Sequence, residues 1–306
     1  MSGPATGATG ASVAPAVQTP LRRFLADFAE SRIAMAGLAL FVLILAVALG
    51  APLLSPQDPY DLNQLDIMDG RLPPMSASGN GFIFWLGSDD QGRDMLSAIF
   101  YGLRTSLGVG ALSALGALAI GMAAGLLAAY FGGRVESLVM RVVDIQLSFP
   151  SILVALILLA VLGQGTWKII VALICVQWAY YARTVRGTAL VERRKEYIEA
   201  ARCLGLGHNR IVFRHLLPNC LPPLIVVVTV QVAHAIALEA TLSFLGIGLP
   251  ITEPSLGLLI ANGFEYLLSG KYWISFFPGI ALLVTIVAIN LVGDQLRDVL
   301  NPRLQK

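Results

Sequence analysis

Few side chains in this 306-residue chain could do chemistry. His234 and, a little further on, Glu239 are ionisable groups in an otherwise apolar run. A group of this kind faces a partner, a water path or a ligand. His234 reads either as a contact lining such a path or as a neutral imidazole bonded to a neighbouring helix. Glu239 reads either as a carboxylate that pairs a ligand's ammonium group or as a solvated one. A second constellation is Glu199, Ala200, Ala201 and Gly205, where a carboxylate stands beside small residues that let another surface approach the backbone closely. Cys175, Cys203 and Cys220 are too scattered for a disulfide framework and read as small apolar fillers. No Cys/His cluster suggests a metal site. The chain has no G-x-x-x-x-G-K-[ST] phosphate loop, since Gly270-Lys271 is followed by Tyr272. It also has no H-E-x-x-H and no G-x-S-x-G. We therefore expect no ATP hydrolysis by the phosphate-loop route, no protease or esterase chemistry, and no cofactor in this chain.

The elements that must position these groups are membrane-spanning. The chain is 56% hydrophobic and 13% charged, with a mean hydropathy of +0.74; soluble domains carry about 25% charged residues. This balance excludes a soluble enzyme, a disordered chain and a nucleic-acid binder built on a basic surface. Charge-free apolar runs at 33–54, 105–131, 145–162, 169–182, 221–238 and 273–292 predict six transmembrane helices, an all-α integral membrane protein. Gly121-x-x-x-Gly125 reads as a close helix-packing stripe. With the N-terminus inside, inner segments hold 16 of the 21 Lys and Arg, which places both termini in the cytoplasm. The 22-residue first run exceeds a signal-peptide core, so we expect it to be retained. Residues 1–32 are expected to form a disordered cytoplasmic tail, 55–104 an external segment, 105–293 a five-helix core and 294–306 a cytoplasmic tail. Within the external segment, residues 55–94 carry seven Asp against two Arg, a docking surface or simply a solvated loop.

The loop 183–218 is the longest inner loop and holds eight basic residues. Its pattern predicts a helix over 192–204 with Tyr197, Ala201 and Leu204 on one face. Glu192/Lys195, Lys195/Glu199 and Glu199/Arg202 stand at pairing distance on the other. Gly205 and Gly207 should stop that helix, and a second short one over 209–217 should end at Pro218. Tethered to spans at both ends, this helix–turn–helix is not expected to bind DNA.

At this point the residues become recognisable. Glu199-Ala200-Ala201, three residues, Gly205, then Leu217-Pro218 resembles the EAA motif of bacterial ABC importer permeases. Gly87-Ser88-Asp89-Asp90-Gln91-Gly92-Arg93-Asp94 is similar to the GTDxxGRD signature of the dipeptide/oligopeptide/nickel branch. Tyr130-Phe131-Gly132-Gly133, residues 239–246 and residues 293–298 with Pro302-Arg303 follow the same branch, in its C-type subunit. Leu256 departs from it, where the family usually has Trp.

The resemblance implies a type I ABC importer permease fold in the bacterial inner membrane. It implies a homologous B-type permease, two cytoplasmic ABC ATPases that carry ATP and Mg, and a periplasmic or extracellular substrate-binding protein as partners. It assigns Glu199, Ala200, Ala201, Gly205, Leu217 and Pro218 to coupling with the ATPase, and leaves His234 and Glu239 as residues for the substrate path. Dipeptides are the expected cargo; nickel or another small solute is the branch alternative. An ion-coupled secondary transporter acting alone is the competing class, and it predicts several intramembrane carboxylates.

Overall fold

The structure, a computed structural model, describes residues 20–79 and 81–300; the charge-free segment 1–19 and the Pro302-Arg303 pair lie outside the described residues. Helix α1, Pro20–Ala29, occupies part of the expected disordered tail. Phe24 and Phe28, one turn apart, seat it against Val292, Leu296 and Val299, a distant contact that composition could not reveal. Ser31 then accepts a hydrogen bond from the Ala34 amide at 3.3 Å and caps α2, Arg32–Leu49. The expected 33–54 run breaks at Gly50, beyond which Ala51–Leu54 forms a separate turn.

The segment that follows is short turns and a two-residue antiparallel hairpin, β1 Ser76–Ala77 and β2 Ile83–Phe84. Asp94 caps α3, Met95–Phe131, accepting from the Ser97 amide at 2.8 Å. At 37 residues α3 is about 55 Å long, well beyond the ~30 Å hydrocarbon core, so its first turns stand outside it.

The expected single span 145–162 is instead a broken pair. Helices α4, Gly133–Ser148, and α5, Ser151–Leu162, meet at 94°. Pro150 has no amide hydrogen and drives Phe149 into extended backbone, φ −97° and ψ 143°. Hydropathy reads straight across such a corner because it carries no direction.

Helix α6, Thr166–Glu192, runs out of the fourth apolar run into the loop. Helix α7 is Glu196–Cys203, shorter than the expected 192–204. The expected short helix ending at Pro218 does not exist as a separate element: α8 runs continuously from His208 to Phe244, 37 residues. A π-helical stretch, Ile211–Leu216, precedes Pro218. Its longer hydrogen-bond spacing accommodates prolines that lack the donor an α-helix needs. Helix α9, Leu256–Phe264, and α10, Trp273–Leu300, complete the fold. Among the described residues five helices are long and apolar enough to cross a membrane, six if the bent pair is one broken span.

Helices α3 and α6 approach closely because Gly121 and Gly125 face α6: a Cβ on Gly121 would lie 2.4 Å from the Trp178 carbonyl oxygen, and one on Gly125 would lie 2.6 Å from that of Ala182. One core gathers Ile44, Met95, Ile236, Leu256, Trp273 and Ile289 at the end of the bundle where α3 begins, here the far end. A second, at the loop end, joins Tyr130, Tyr181, Ile198, Ala201, Ile211 and Leu216. This second core fixes the loop to the spans.

Candidate functional site

Helix α7 turns Ile198 and Ala201 inward, at 1% and 4% exposure. Glu199 and Ala200 lie on the open side. The predicted face is therefore wrong by a part-turn: Leu204, expected inside, is 78% exposed, and Ile198 takes its place in the core. Periodicity alone had two solutions here, because Ile198 and Tyr197 are adjacent. Of the three expected charge pairs, Glu192–Lys195 forms at 2.6 Å; among the described residues Glu199 makes no ion pair and presents its carboxylate to the outside.

The turn after α7 is built on Gly205, whose φ is +69°. The Gly205 amide donates to the Arg202 carbonyl at 2.9 Å and the Leu206 amide to that of Ala201 at 3.2 Å, a Schellman cap that needs a left-handed residue at this position. Phe213, 64% exposed, adds a second large apolar side chain to the loop surface beside Leu204. Leu217 and Pro218 do not close a docking helix; they lie within α8, Leu217 half-buried and Pro218 exposed.

Contacts that sequence reasoning missed hold this loop to the end of α3. The Tyr130 hydroxyl and His208 Nδ1 are 2.6 Å apart, and the Arg202 guanidinium lies over the Tyr130 ring at 5.9 Å. Arg193 Nη1 donates to the Ala129 carbonyl at 2.7 Å, and Arg186 pairs with Glu136 in the first turn of α4 at 2.5 Å. The available signal was the aromatic–glycine run 130–133, which marks where a helix ends close to another surface.

Glu239 is neither solvated nor at an open mouth. It is fully buried, and its carboxylate accepts from Ser106 Oγ at 2.9 Å and Ser243 Oγ at 2.8 Å. In this chain it fastens α8 to α3. His234 is half-buried, and its Nδ1 is shielded with no hydrogen-bond partner among the described residues, so that atom makes no bond to a neighbouring helix. One turn away, the Gln231 carbonyl accepts from Gln177 Nε2 of α6 at 3.3 Å, while Gln177 Oε1 and Gln231 Nε2 have no partner among the described residues. These two amides, uncharged and so passed over in the sequence, are polar groups held at span depth beside His234.

At the far end, the acidic segment is only partly a surface. Asp69, Asp89 and Asp94 are buried, as is Arg93. Asp89 accepts from the Gln91 and Arg93 amides at 2.8 and 2.9 Å, and Arg93 Nη2 donates to the Ile251 carbonyl at 2.9 Å. Burial pushes the Asp89 carboxyl up to about 6, against the opposing pull of Arg93. The GSDDQGRD run is thus an internal brace between the segment before α3 and the loop before α9.

A multi-pass helical permease is the class that these spans, the corner at Pro150 and the braced loop define. Its fold is that of a type I ABC importer permease. It is similar to a chain of the MetNI methionine ABC transporter in an inward-facing conformation, at a TM-score of 0.55 and 23% identity, covering 67% of this chain and 97% of that one. The chain belongs to the family of binding-protein-dependent transport system inner membrane components, whose model matches residues 117–306. Residues 19–74 match the N-terminal TM domain of oligopeptide transport permease C. The di/tripeptide transport system permease protein DppC of Pseudomonas aeruginosa is 37% identical, over 94% of this chain and 93% of that one. A putative peptide transport system permease protein of Brucella suis is 40% identical, over 88% and 87%. The oligopeptide transport system permease protein OppC of Bacillus subtilis is 36% identical, over 91% and 88%.

Proposed function

We propose that this chain is the C-type permease subunit of an ATP-driven peptide importer, with dipeptides as first cargo, in the bacterial inner membrane with both termini cytoplasmic. The relatives named for di/tripeptide and oligopeptide transport support the cargo. The observation that carries the coupling reading is the exposed face of α7, where Glu199, Ala200 and Leu204 project from a helix whose opposite side is locked into the spans.

In this reading a homologous B-type permease completes the translocation path, and two ABC ATPases holding ATP and Mg grip the two loops from the cytoplasm. An external binding protein delivers the peptide. ATP binding favours one of two arrangements of the spans and hydrolysis the other; each is selected by the contacts the loop makes in it. His234, half-buried, is the group of this chain that faces a peptide passing at span depth in this reading, while Gln177 and Gln231 are buried within the chain.

The test is to co-express the chain with the products of its neighbouring genes, purify the complex and measure ATPase stimulation by binding protein loaded with dipeptides, longer peptides or nickel. Stimulation by peptides, abolished by Glu199→Lys with the complex still inserted, is the expected result. Stimulation by nickel alone overturns the cargo, and import by this chain reconstituted without ATPases overturns the mechanism.

A further inference from the structure

A cavity of about 310 Å³ opens at the far end between α3, α6 and the segment carrying Tyr60. Arg104 and Glu253 both line it, charges of opposite sign in one small space. Arg104 is exposed and makes no ion pair or hydrogen bond among the described residues. Its position is informative: it is the last charged residue before the charge-free stretch 105–131, which by its composition is the part of α3 suited to the hydrocarbon. A guanidinium at that depth, on the side poor in basic residues, calls for a counter-charge. Glu253 is held in place by a hydrogen bond from the Thr166 hydroxyl.

The cavity has a mixed lining: Tyr60, Arg104, Thr105 and Glu253 supply polar groups, and Leu112 and Ile170 apolar ones. Arg104 and Leu112 lie on one face of α3, two turns apart. Beyond Leu112 the same side of α3 continues with Leu115, 56% exposed. Trp167, 61% exposed, flanks it at the start of α6, the side chain enriched at membrane interfaces. A soluble zwitterion would match the charged end and leave the apolar run unused. A phospholipid matches both.

We propose that this cavity binds the zwitterionic headgroup of an aminophospholipid, with the phosphate on Arg104, the ammonium on Glu253 and an acyl chain along Leu112 and Leu115. The site is separate from the coupling loop and independent of the cargo reading.

The assembled complex is stripped in detergent, incubated with mixed micelles of phosphatidylethanolamine and phosphatidylglycerol, repurified, and its bound lipid measured by mass spectrometry. The wild type should retain phosphatidylethanolamine over phosphatidylglycerol. Arg104→Gln removes a charge-assisted phosphate contact and should lower retention about tenfold. Glu253→Gln leaves only the positive charge, so the preference should invert towards phosphatidylglycerol. Leu112→Trp fills the groove without touching either charge and should also lose the lipid. Equal retention in wild type and Arg104→Gln, an unchanged preference in Glu253→Gln, or release by free Ala-Ala or inorganic phosphate overturns the proposal. A wild-type complex that keeps the lipid without peptide-stimulated ATPase activity would refute the cargo and leave the lipid site standing.

Discussion

The hydroxyl of Ser106 on α3 donates a 2.9 Å hydrogen bond to the buried carboxylate of Glu239 on α8, joining positions 133 residues apart in the chain. Ser243 donates to the other oxygen at 2.8 Å. Removing one donor leaves a buried acceptor under-satisfied, at a cost of about 1–3 kcal/mol. Ser106→Ala should therefore lower the thermal midpoint of the purified complex by several degrees, and Glu239→Ala by more. A midpoint unchanged in both variants would show that this contact does not fasten the two helices.

The close approach of α3 and α6 makes a sharper demand. Any side chain at Gly121 collides with the Trp178 carbonyl, which is backbone and cannot rotate away. Gly121→Val should abolish folded protein in the membrane. Gly187→Ala, on a face with nothing within 4 Å, should be recovered at wild-type level. Equal yields in a membrane-fraction blot would contradict the packing described.

Gly205 separates conformation from bulk, since nothing lies within 4 Å of a Cβ there and only its φ of +69° is restrictive. Gly205→Val should uncouple ATP hydrolysis from uptake while the complex stays assembled. Gly205→Asn, which enters the left-handed region more easily, should keep a measurable fraction of transport. Equal loss in both, read as transport per ATP, would assign the defect to size instead.

On the loop surface, Leu204→Asp and Phe213→Asp should weaken co-purification of the ATPase subunits without lowering the yield of this chain. Ile198→Ala, inside the core, should lower the yield itself, by about 2–5 kcal/mol of stability. The opposite pattern would place the docking face on the other side of α7.

Asp89 gives a pH dependence with a defined sign. Its carboxyl titrates higher in the folded chain than in the unfolded one, 3.8 rising to about 6. Its contribution is therefore full below about pH 4 and is lost as pH rises to about 6, on the order of 3 kcal/mol. Asp89→Asn should flatten that part of the profile. Parallel stability curves for wild type and variant across this range would refute the shift.

Much of this fold was legible because apolar runs and caps are local. The runs at 105–131 and 273–292 locate α3 and α10, and the Gly121/Gly125 spacing foretold the close packing. Direction and continuity were not local. Pro150 turns the chain through 94° inside one apolar run, whereas Pro218, which looked like a stop, is absorbed by the π-helical stretch before it. The same gap explains Glu239 and Asp89: a charge in a sequence does not say which hydroxyls or amides will surround it. Gln177 and Gln231 escaped notice because only charged groups stand out against an apolar background.

The unbroken run of α8 from His208 to Phe244 makes it a strut. One end carries the contact between His208 and Tyr130, and the other carries Glu239 in its serine clasp; Tyr130 and Ser106 both belong to α3. Between them, near Gln231, it rests against Gln177 of α6. Two helices pinned together near both of their ends move as one body. A displacement received at the loop end would therefore be carried to the far end by α3 and α8 together, without one sliding past the other.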